Sequence, residues 1–425
     1  MSTEAKKSLV PKLRFPEFLE AWLVLPIGDK VELLSGYPFD GPDISPDNTG
    51  VPLLRGINVT EGRVRHSKEI DRYFTGPLID LEKYRLKVDD LVIAMDGSKV
   101  GKNSALITNF DAGALLIQRV ARLRVIGSQS IQFIFQLINS TVFHRYVDKI
   151  NTSSGIPHIS AKQIKEFSVA FPSLAEQQKI SDCLSSLDEL IAAQGRKVEA
   201  LKTHKKGLMQ QLFPLEGETQ PRLRFPEFQD AGEWKETRLG KLGKLVSGLT
   251  YSPDDVREAG LLVLRSSNVQ NSEITLDDCV YVDPSIKGAN LSQPEDILIC
   301  VRNGSKALIG KCALIPKGMP LCTHGAFMTV FRAEAPSFVF QLFQSDKYQK
   351  QVAGDLGATI NSINGSQFLK YEFMVPKPAE QKRIADFLVS LDALITAANQ
   401  ELDTLKTHKK GLMQQLFPMS EAMES

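Results

Sequence analysis

The sequence predicts a mixed α/β (α+β) fold in which two pseudo-repeated globular domains alternate with two long helices. Three observations predict it. The two halves of the chain repeat one another, each half mixes strand-like and helix-like patterns, and each half ends in a heptad pattern of apolar residues. Because 425 residues are too many for one ordinary core, a division into two or three domains is expected.

The two halves begin with the same short motif. PKLRFPEF at 11–18 returns as PRLRFPEF at 221–228, and a tryptophan follows each copy, Trp22 in the first half and Trp234 in the second. Near-identity at the same place in each half indicates a duplicated unit of roughly 200 residues.

Each half continues with matching strand-like segments. VPLLRGINV at 51–59 parallels LLVLRSSNV at 261–269, and DDLVIAMDGSKVGKNSALI at 89–107 parallels EDILICVRNGSKALIGKCALI at 295–315. Short apolar runs beside Gly-Ser turns predict hairpin-like strands. RVARLRV at 119–125 alternates as a further strand.

A helical pattern follows in both halves. Residues 130–150 carry apolar side chains at helical spacing, and 337–352 are their counterpart. FSVAFP and YEFMVP then close the globular parts. Pro172 and Pro376 mark where the chain leaves them, because the residue before a proline disfavours helix.

The most similar parts of the two halves follow these prolines. Residues 175–214 align with 379–418 without a gap, and LKTHKKGLMQQLFP is unchanged at 201–214 and 405–418. Leu and Ile recur at alternating three- and four-residue steps, which predicts a coiled-coil seam in each copy. The seam positions without a large apolar residue are Gln194, Lys205, Ala398 and Lys409.

These patterns divide the chain into six segments. They are an N-terminal segment at 1–19, a globular domain at 20–172, a helical spacer at 173–219, a globular domain at 220–376, a helical spacer at 377–418 and a flexible tail at 419–425. The helices are interpreted as spacers that hold the globular domains apart, since about 40 helical residues extend for about 60 Å.

The unchanged segment also agrees at positions outside the seam, where packing does not require identity. An amphipathic helix is often only a packing element, and a recent duplication would also leave identical copies. The greater divergence of the globular parts favours a docking surface present twice. The docking candidates are Lys202, His204, Lys206 and Gln210 in the first copy and Lys406, His408, Lys410 and Gln414 in the second.

Charge and cysteine content narrow the class of protein. Lys plus Arg number 51 against 50 Asp plus Glu, so affinity for nucleic acid must come from local patches or from a partner. The five cysteines lack CxxC spacing, which indicates reduced thiols and a cytoplasmic location. No apolar run suggests a membrane span or an export signal.

The doubled [KR]LRFPEF openings are accompanied by three further motifs that occur once in each half. These are the turns GSKVGK at 97–102 and GSKALIGK at 304–311, the helix beginnings PSLAEQQKI and PKPAEQKRI, and LKTHKKGLMQQLFP itself. Over roughly residues 11–418 the chain thereby resembles the DNA-specificity (S) subunit of type I restriction-modification systems. The second turn departs from the first by two extra residues between its glycines.

The resemblance implies an arrangement and a set of partners. It implies two target-recognition domains, at 20–172 and 220–376, each reading one half of a bipartite site in double-stranded DNA. Two long antiparallel coiled-coil helices would separate them, dock two methyltransferase (modification) subunits and set the half-site spacing. Restriction/translocase subunits would join through the complex, which has adenine methyltransferase and type I endonuclease activity.

Motifs for catalysis by this chain itself are missing from the sequence. It has no [ND]-P-P-[FYW] loop for a flipped adenine, neither Gly-Ser turn has P-loop spacing, and the six histidines lack metal-ligand spacing. We therefore expect a non-catalytic subunit without a cofactor or metal. The alternatives are a stand-alone DNA-modifying enzyme and a coiled-coil protein scaffold without DNA specificity.

Base readout requires polar or basic side chains on loops or strand ends, with basic neighbours for phosphates. In the first half the candidates are Arg55, Asn58, Lys99, Lys102, Thr152, Ser153, Ser154 and His158. In the second half they are Arg265, Asn268, Arg302, Asn303, Lys306, Lys311, Thr359, Asn361, Ser362 and Asn364.

Overall fold

The computed structural model describes residues 8–151, 157–356 and 361–418. The chain divides into two compact units: unit 1 is Met1–Gly195 with Gln400–Ser425, and unit 2 is Arg196–Asn399. The predicted flexible tail at 419–425 lies outside the described residues, as does the start of the predicted N-terminal segment, residues 1–7.

Unit 1 consists of short strands followed by helices. Its described strands are β1 (Ser8–Leu9), β2 (Trp22–Pro26), β3 (Val31–Ser35), β4 (Ile44–Ser45), β5 (Val51–Leu54), β6 (Val59–Thr60), β7 (Arg63–Val64), β8 (Tyr73–Phe74), β9 (Leu91–Ala94), β10 (Ser104–Leu106), β11 (Leu115–Leu116), β12 (Val120–Val125) and β13 (Ser168–Phe171). Its helices are α1 (Ile131–Ile138), α2 (Thr141–Ile150), α3 (Ala161–Glu166) and the first part of α4 (Leu174–Leu212).

Strand β9 contributes side chains to two cores of unit 1. The antiparallel sheet β10-β9-β12-β3 packs against the sheet β11-β5-β8-β4, in which β5 and β11 run parallel. Because successive side chains of a strand point to opposite faces, Leu91 and Ile93 join the core that contains the helices, whereas Val92 and Ala94 join the core between the sheets. All four side chains are buried, as the unbroken apolar run predicts.

Residues 130–150 form two helices, α1 and α2, where the helical spacing alone suggests one. Ser140 interrupts them, because its hydroxyl accepts a hydrogen bond from the backbone amide of Phe143 at 3.5 Å and so begins a new helix. Ser130 begins α1 in the same way, accepting from the amide of Phe133 at 3.2 Å.

Unit 2 repeats this plan. Its described strands are β14 (Lys235–Arg238), β15 (Gly243–Ser247), β16 (Val256–Arg257), β17 (Leu261–Leu264), β18 (Val269–Gln270), β19 (Glu273–Ile274), β20 (Tyr281–Val282), β21 (Ile297–Cys300), β22 (Cys312–Leu314), β23 (Cys322–His324), β24 (Met328–Ala333) and β25 (Glu372–Val375). Its helices are α5 (Pro336–Phe343), α6 (Asp346–Asp355), α7 (Gly365–Phe368), the last part of α4 and the first part of α8 (Pro378–Leu416); the last part of α8 belongs to unit 1.

The sheets of unit 2 correspond to those of unit 1. The antiparallel sheet β15-β24-β21-β22 takes the place of β3-β12-β9-β10, and β16-β20-β17-β23 contains the parallel pair β17 and β23. Strand β21 again serves two cores, with Ile297 and Ile299 in one and Leu298 and Cys300 in the other.

The predicted seam positions of α4 and α8 are all buried or half-buried. Two of the polar seam positions are occupied by lysines that form ion pairs. In unit 1, Lys409 Nζ donates to Asp188 Oδ1 at 2.6 Å and to Oδ2 at 2.7 Å. In unit 2, Lys205 Nζ donates to Asp392 Oδ1 at 2.6 Å. We call the unchanged LKTHKKGLMQQLFP the repeated segment. Its lysines Lys205 and Lys409 are therefore structural.

The same two aspartates also bind the globular part of their unit. The buried Gln136 of α1 donates through Nε2 to Asp188 Oδ2 at 2.9 Å, and the buried Gln341 of α5 donates to Asp392 Oδ2 at 2.9 Å. Each aspartate therefore accepts from a lysine of the repeated segment and from a glutamine of the first globular helix in its unit.

The end of each repeated segment packs into a globular core. In unit 1, Phe417 is buried with its ring centroid 5.6 Å from that of Phe133. In unit 2, Phe213 packs 6.1 Å from Trp234 and 6.0 Å from Phe338. Met413 and Leu416 accompany Phe417, as Met209 and Leu212 accompany Phe213. The second copy of the segment thus completes unit 1, and the first copy completes unit 2.

A buried glutamate at the start of each long helix holds the LRFPEF segment and the tryptophan that follows it. Glu176 accepts from Arg14 Nε at 2.7 Å, from Arg14 Nη2 at 2.8 Å and from Trp22 Nε1 at 3.1 Å. We call this arrangement the Arg-Glu-Trp cluster. The hydrogen bond to Glu176 raises the pKa of Arg14 above its ordinary value, so the guanidinium stays charged.

Unit 2 contains the same cluster. Arg224 donates through Nε and Nη2 to the two carboxylate oxygens of Glu380, each at 2.7 Å, and Trp234 Nε1 donates to Glu380 Oε1 at 3.3 Å. The side chains of Arg224 and Glu380 are 8% and 2% exposed, so the pair is buried. The glutamates of the helix beginnings PSLAEQQKI and PKPAEQKRI, Glu176 and Glu380, are therefore structural.

Removing the charge of Glu176 should destabilise the chain strongly. Glu176→Gln leaves the Arg14 guanidinium without its carboxylate, and breaking a buried pair lowers the free energy of unfolding by about 3–5 kcal/mol. Glu17→Gln is the matched control, because Glu17 pairs with Lys179 at 3.7 Å in an exposed setting and should cost less than about 1 kcal/mol. Urea unfolding of the full chain measures both. Equal effects of the two substitutions would contradict a structural role for the cluster.

Candidate functional site

Three loops of unit 1 meet at one edge of its central sheet, where β9 ends and β12 begins. The backbone amide of Met95 donates to the carbonyl of Arg119 at 2.9 Å, and that of Gly97 donates to Pro157 O at 3.2 Å. Asp96 forms an isolated bridge with His158. The Gly-Ser-Lys turn, the loop before β12 and the segment around His158 therefore form one surface, which we call the loop cluster of unit 1.

Unit 2 has a loop cluster at the corresponding edge. The backbone amides of Val301 and Arg302 both donate to Phe327 O at 3.1 Å, and Arg302 bridges to Ser362. The amide of Asn303 reaches Asn361 O at 3.4 Å. The structure thus brings together Arg302, Asn303, Asn361 and Ser362, which the sequence placed in separate motifs.

Arg55 and Asn58 stabilise the loop to which they belong, which contains a short 3₁₀ turn at Gly56–Asn58. Asn58 is buried, accepts from the Arg55 amide at 3.2 Å, and donates to Arg65 O at 3.2 Å and to Asp71 Oδ1 at 2.9 Å. Arg55 Nη1 donates to Ile70 O at 3.1 Å. A base contact by Asn58 would have to break these hydrogen bonds, so its predicted readout role remains a prediction.

Arg265 and Asn268 are placed in the same way in unit 2. Asn268 is buried, accepts from the Arg265 amide at 2.9 Å, and donates to the carbonyls of Thr275 and Asp278, each at 3.0 Å. Arg265 Nη2 donates to Asp278 Oδ2 at 2.6 Å. Asn303 Nδ2 donates to Ser266 Oγ at 3.2 Å, which joins this loop to the loop cluster.

The lysines of the first Gly-Ser turn pair with acidic neighbours. Lys99 Nζ lies 2.9 Å from Glu61 Oε1, and Lys102 Nζ lies 3.0 Å from Asp148 Oδ1. Gly101, which precedes Lys102, has a φ of +68° and packs against Val147, where a Cβ would come within 2.8 Å of a methyl group. This explains the glycine of the Gly-Lys pattern.

The second turn is longer because its additional residues form a short 3₁₀ turn at Lys306–Leu308. Lys306 is exposed on this turn. Lys311 is half-buried, and its carbonyl accepts from the Cys300 amide at 2.9 Å. The two turns therefore present their lysines differently.

The candidates in NTSSGIPHIS at 151–160 and in GATINSING at 357–365 are only partly described. Thr152, Ser153, Ser154 and Thr359 lie outside the described residues. His158 is exposed, and its backbone amide donates to Asn151 Oδ1 at 2.8 Å. Asn361 Nδ2 donates to Gly304 O at 3.4 Å, and Asn364 begins α7 by accepting from the Ser366 amide at 2.9 Å.

Sequence reasoning missed Arg119 and Phe327, each of which immediately precedes a strand of the central sheet. Arg119 Nη1 lies 2.9 Å from Asp96 Oδ2, and the guanidinium carbon of Arg302 lies 5.8 Å from the ring centroid of Phe327. Arg119 is the first residue of RVARLRV, which the sequence predicts as a strand, whereas none of the sequence motifs includes Phe327. Their exposure is a property of the loop conformation, which the alternating pattern does not reveal.

The docking candidates share one property, which is exposure to solvent on α4 or α8. They are Lys202, His204, Lys206, Gln210, Lys406, His408, Lys410 and Gln414. Lys202 pairs with Glu199 at 3.1 Å and Lys406 with Asp403 at 3.5 Å, both within one helix turn and both exposed. Such pairs contribute little to stability, so folding does not explain why these lysines are identical.

Groups typical of catalysis or metal binding are scarce in the described part of the chain. Within it, no three His, Cys, Asp or Glu side chains are grouped so that they could hold a metal ion. Burial raises the pKa of the Cys312 thiol to about 12 and also raises the pKa values of Cys300 and Cys322, which keeps these thiols protonated at neutral pH. Over the same described ranges, no helix combines the length and apolarity that a membrane span requires.

Comparison with known proteins gives a family match over most of the chain. The family model described as the type I restriction modification DNA specificity domain matches residues 61–203 and again 231–407. One match therefore falls in each half.

Two curated relatives and a solved structure are similar to the chain. The StySPI specificity subunit of a type I restriction enzyme from Salmonella potsdam is 29% identical over 182 residues, which are 40% of this chain and only 39% of that protein. The putative MjaX specificity subunit of Methanocaldococcus jannaschii is 24% identical, covering 97% of this chain and 96% of that protein. A crystal structure of a type I restriction-modification S subunit from M. genitalium shares the fold, with a TM-score of 0.60 at 15% identity over 97% of this chain and 100% of that chain.

Proposed function

The chain belongs to the type I restriction-modification DNA specificity family, and on that premise we propose that it is the non-catalytic subunit that selects the DNA sequence. The target-recognition domain of each unit reads one half of a bipartite double-stranded site. The observation that supports this most directly is the pair of loop clusters. They occupy the same edge of two matching sheets, yet they carry different side chains.

The contrast between constant and variable positions supports two separate readers. The Arg-Glu-Trp cluster and the lysine-aspartate pair recur in both units with nearly the same distances. The loop clusters differ in charge and length, because Asp96 stands where unit 2 has Arg302 and the second turn is longer. A scaffold that stays constant beneath loops that vary is what two half-sites of different sequence require.

We further propose that the helical spacers, 173–219 and 377–418, pair as an antiparallel coiled coil between domains 20–172 and 220–376. Two contacts within unit 1 support the direction. In unit 1, Asp188 contacts Lys409 while Gln194, further along α4, contacts Glu401, which lies earlier in α8. In this proposal the helices set the distance between half-sites, and the globular domains set the bases that are read.

The exposed face of each repeated segment is the proposed docking site for one methyltransferase subunit. Buried contacts explain the identity of Lys205, Met209, Leu212 and Phe213 and of their counterparts in the second copy. Gln210 donates to Asp346 Oδ2 at 3.2 Å, but the exposed lysines and histidines remain unexplained by such contacts. A partner that binds the same face twice accounts for them. Restriction/translocase subunits would then join through that complex.

Exchanging one domain should change one half of the recognised sequence. If residues 20–172 are replaced by the matching domain of a relative, the methylome of cells that carry the complex should show a new first half-site and an unchanged second one. The reciprocal exchange of 220–376 is the matched control and should alter only the other half. A change in both halves would contradict independent readers. Unaltered methylation would favour a scaffold without DNA specificity.

Reversing charge on the repeated segment should remove partners without unfolding the chain. Lys202→Glu with Lys206→Glu should leave a complex with one methyltransferase, Lys406→Glu with Lys410→Glu likewise, and the combined variant should bind none. Because these lysines are exposed, the melting temperature should change little. Native mass spectrometry counts the subunits.

Lys382→Glu is the matched control, since Lys382 is exposed on α8 outside LKTHKKGLMQQLFP, and it should retain two partners. Lys409→Ala is the structural contrast and should destabilise the chain, because it leaves Asp188 without its lysine. Two methyltransferases on the combined variant would show that the repeated segment is not the docking surface.

A further inference from the structure

Each loop cluster contains one arginine beside the strand pair at its centre. The arginine precedes the second strand of the pair in unit 1 and follows the first strand in unit 2. In unit 1 the arginine is Arg119, directly before β12, and it faces Asp96, two residues after β9. In unit 2 the arginine is Arg302, two residues after β21, and it faces Phe327, directly before β24. The registers agree, because Ala94 pairs with Val120 as Cys300 pairs with Met328.

Arg119 is held in a conformation that costs free energy. Its φ is +68°, a value that is unfavourable for any residue with a side chain. Its carbonyl accepts a hydrogen bond from the Met95 amide at 2.9 Å. The side chain is 70% exposed, whereas Asp96, which holds one guanidinium nitrogen, is 25% exposed. Strain at a solvent-exposed arginine points to a role for its side chain, whose direction the Asp96 carboxylate sets.

Arg302 is oriented by a ring in place of a carboxylate. Its guanidinium carbon lies 5.8 Å from the centroid of Phe327, and Phe327 is itself 60% exposed. An exposed phenylalanine gains nothing from burial, so its role is better explained by the arginine that it supports. Cation–π contact fixes the plane of the guanidinium while leaving its edge available.

An arginine that is held on one side can donate two parallel hydrogen bonds from its other edge. Guanine presents two acceptors, O6 and N7, in the major groove, and they match that geometry. Resting on the proposed DNA-recognition function, we propose that Arg119 and Arg302 each read a guanine, one in each half of the bipartite site. Asp96 and Phe327 are then positioning residues.

The test separates base reading from a general phosphate contact. Arg119→Lys and Arg302→Lys keep the charge but lose the planar fork, so each should relax one G·C position in its own half-site. Discrimination at that position should fall about 5- to 150-fold, the range expected for one bidentate contact. The measurements are the methylome of the full complex and its affinity for duplexes that carry the motif or a single base-pair change.

Exposed cations outside the loop clusters provide matched controls. Lys162 on α3 pairs with Glu166, and Arg238 on β14 pairs with Glu372. Lys162→Ala and Arg238→Lys should leave both half-sites unchanged. Asp96→Asn and Phe327→Leu should relax the same positions as the arginine variants, because each removes the support of one arginine.

Three outcomes decide the proposal. Relaxation confined to one position of the matching half supports it. An equal loss of affinity for every sequence identifies a phosphate contact and overturns it, and so does an unchanged motif in both lysine variants. Failure of the wild-type complex to methylate any bipartite site would overturn the proposed function itself, which distinguishes that failure from an error in the residues chosen here.

Discussion

Both globular units depend on closure by segments that are distant in the chain. In unit 1 the buried Glu176 binds Arg14 and Trp22, and the core is completed by Phe417 from the last helix. In unit 2, Glu380 binds Arg224 and Trp234, and Phe213 from the first long helix completes the core. Unit 1 therefore cannot complete its core until nearly the whole chain has been made. Contacts of such long sequence separation slow folding.

This reciprocal closure explains much of the repetition in the sequence. The C-terminal end of each copy of LKTHKKGLMQQLFP packs into one globular core. Lys205 in the first copy and Lys409 in the second each form an ion pair with an aspartate that also accepts a hydrogen bond from a globular helix. A change on one side of such a contact leaves a partly buried lysine or a buried glutamine without its partner, which lowers stability. The loops at the sheet edge do not take part in these contacts, so their sequences can differ between units.

Much of the fold could be predicted because the spacing of apolar residues along the sequence determines it. The apolar runs of β9 and β21 and the long helix α4 follow from spacing, and the family resemblance is confirmed by the matching family model. Other features could not be predicted from the sequence. They are the burial of Asn58, the positive φ of Arg119 and the ion pair between Lys409 and Asp188. Each depends on a neighbour far along the chain, and the type of a polar residue does not tell whether it faces water or a partner.

The central claim is that two independent readers are kept at a distance that the paired helices set. It is tested most directly by inserting one heptad after Gly195 in α4 and one after Asn399 in α8, where the chain passes from one unit to the other. The insertions leave the contacts within each unit intact, and seven helical residues add about 10 Å, or roughly three base pairs. The account predicts a methylated motif with both halves unchanged and a gap about three base pairs longer. A motif whose gap stays the same would contradict it.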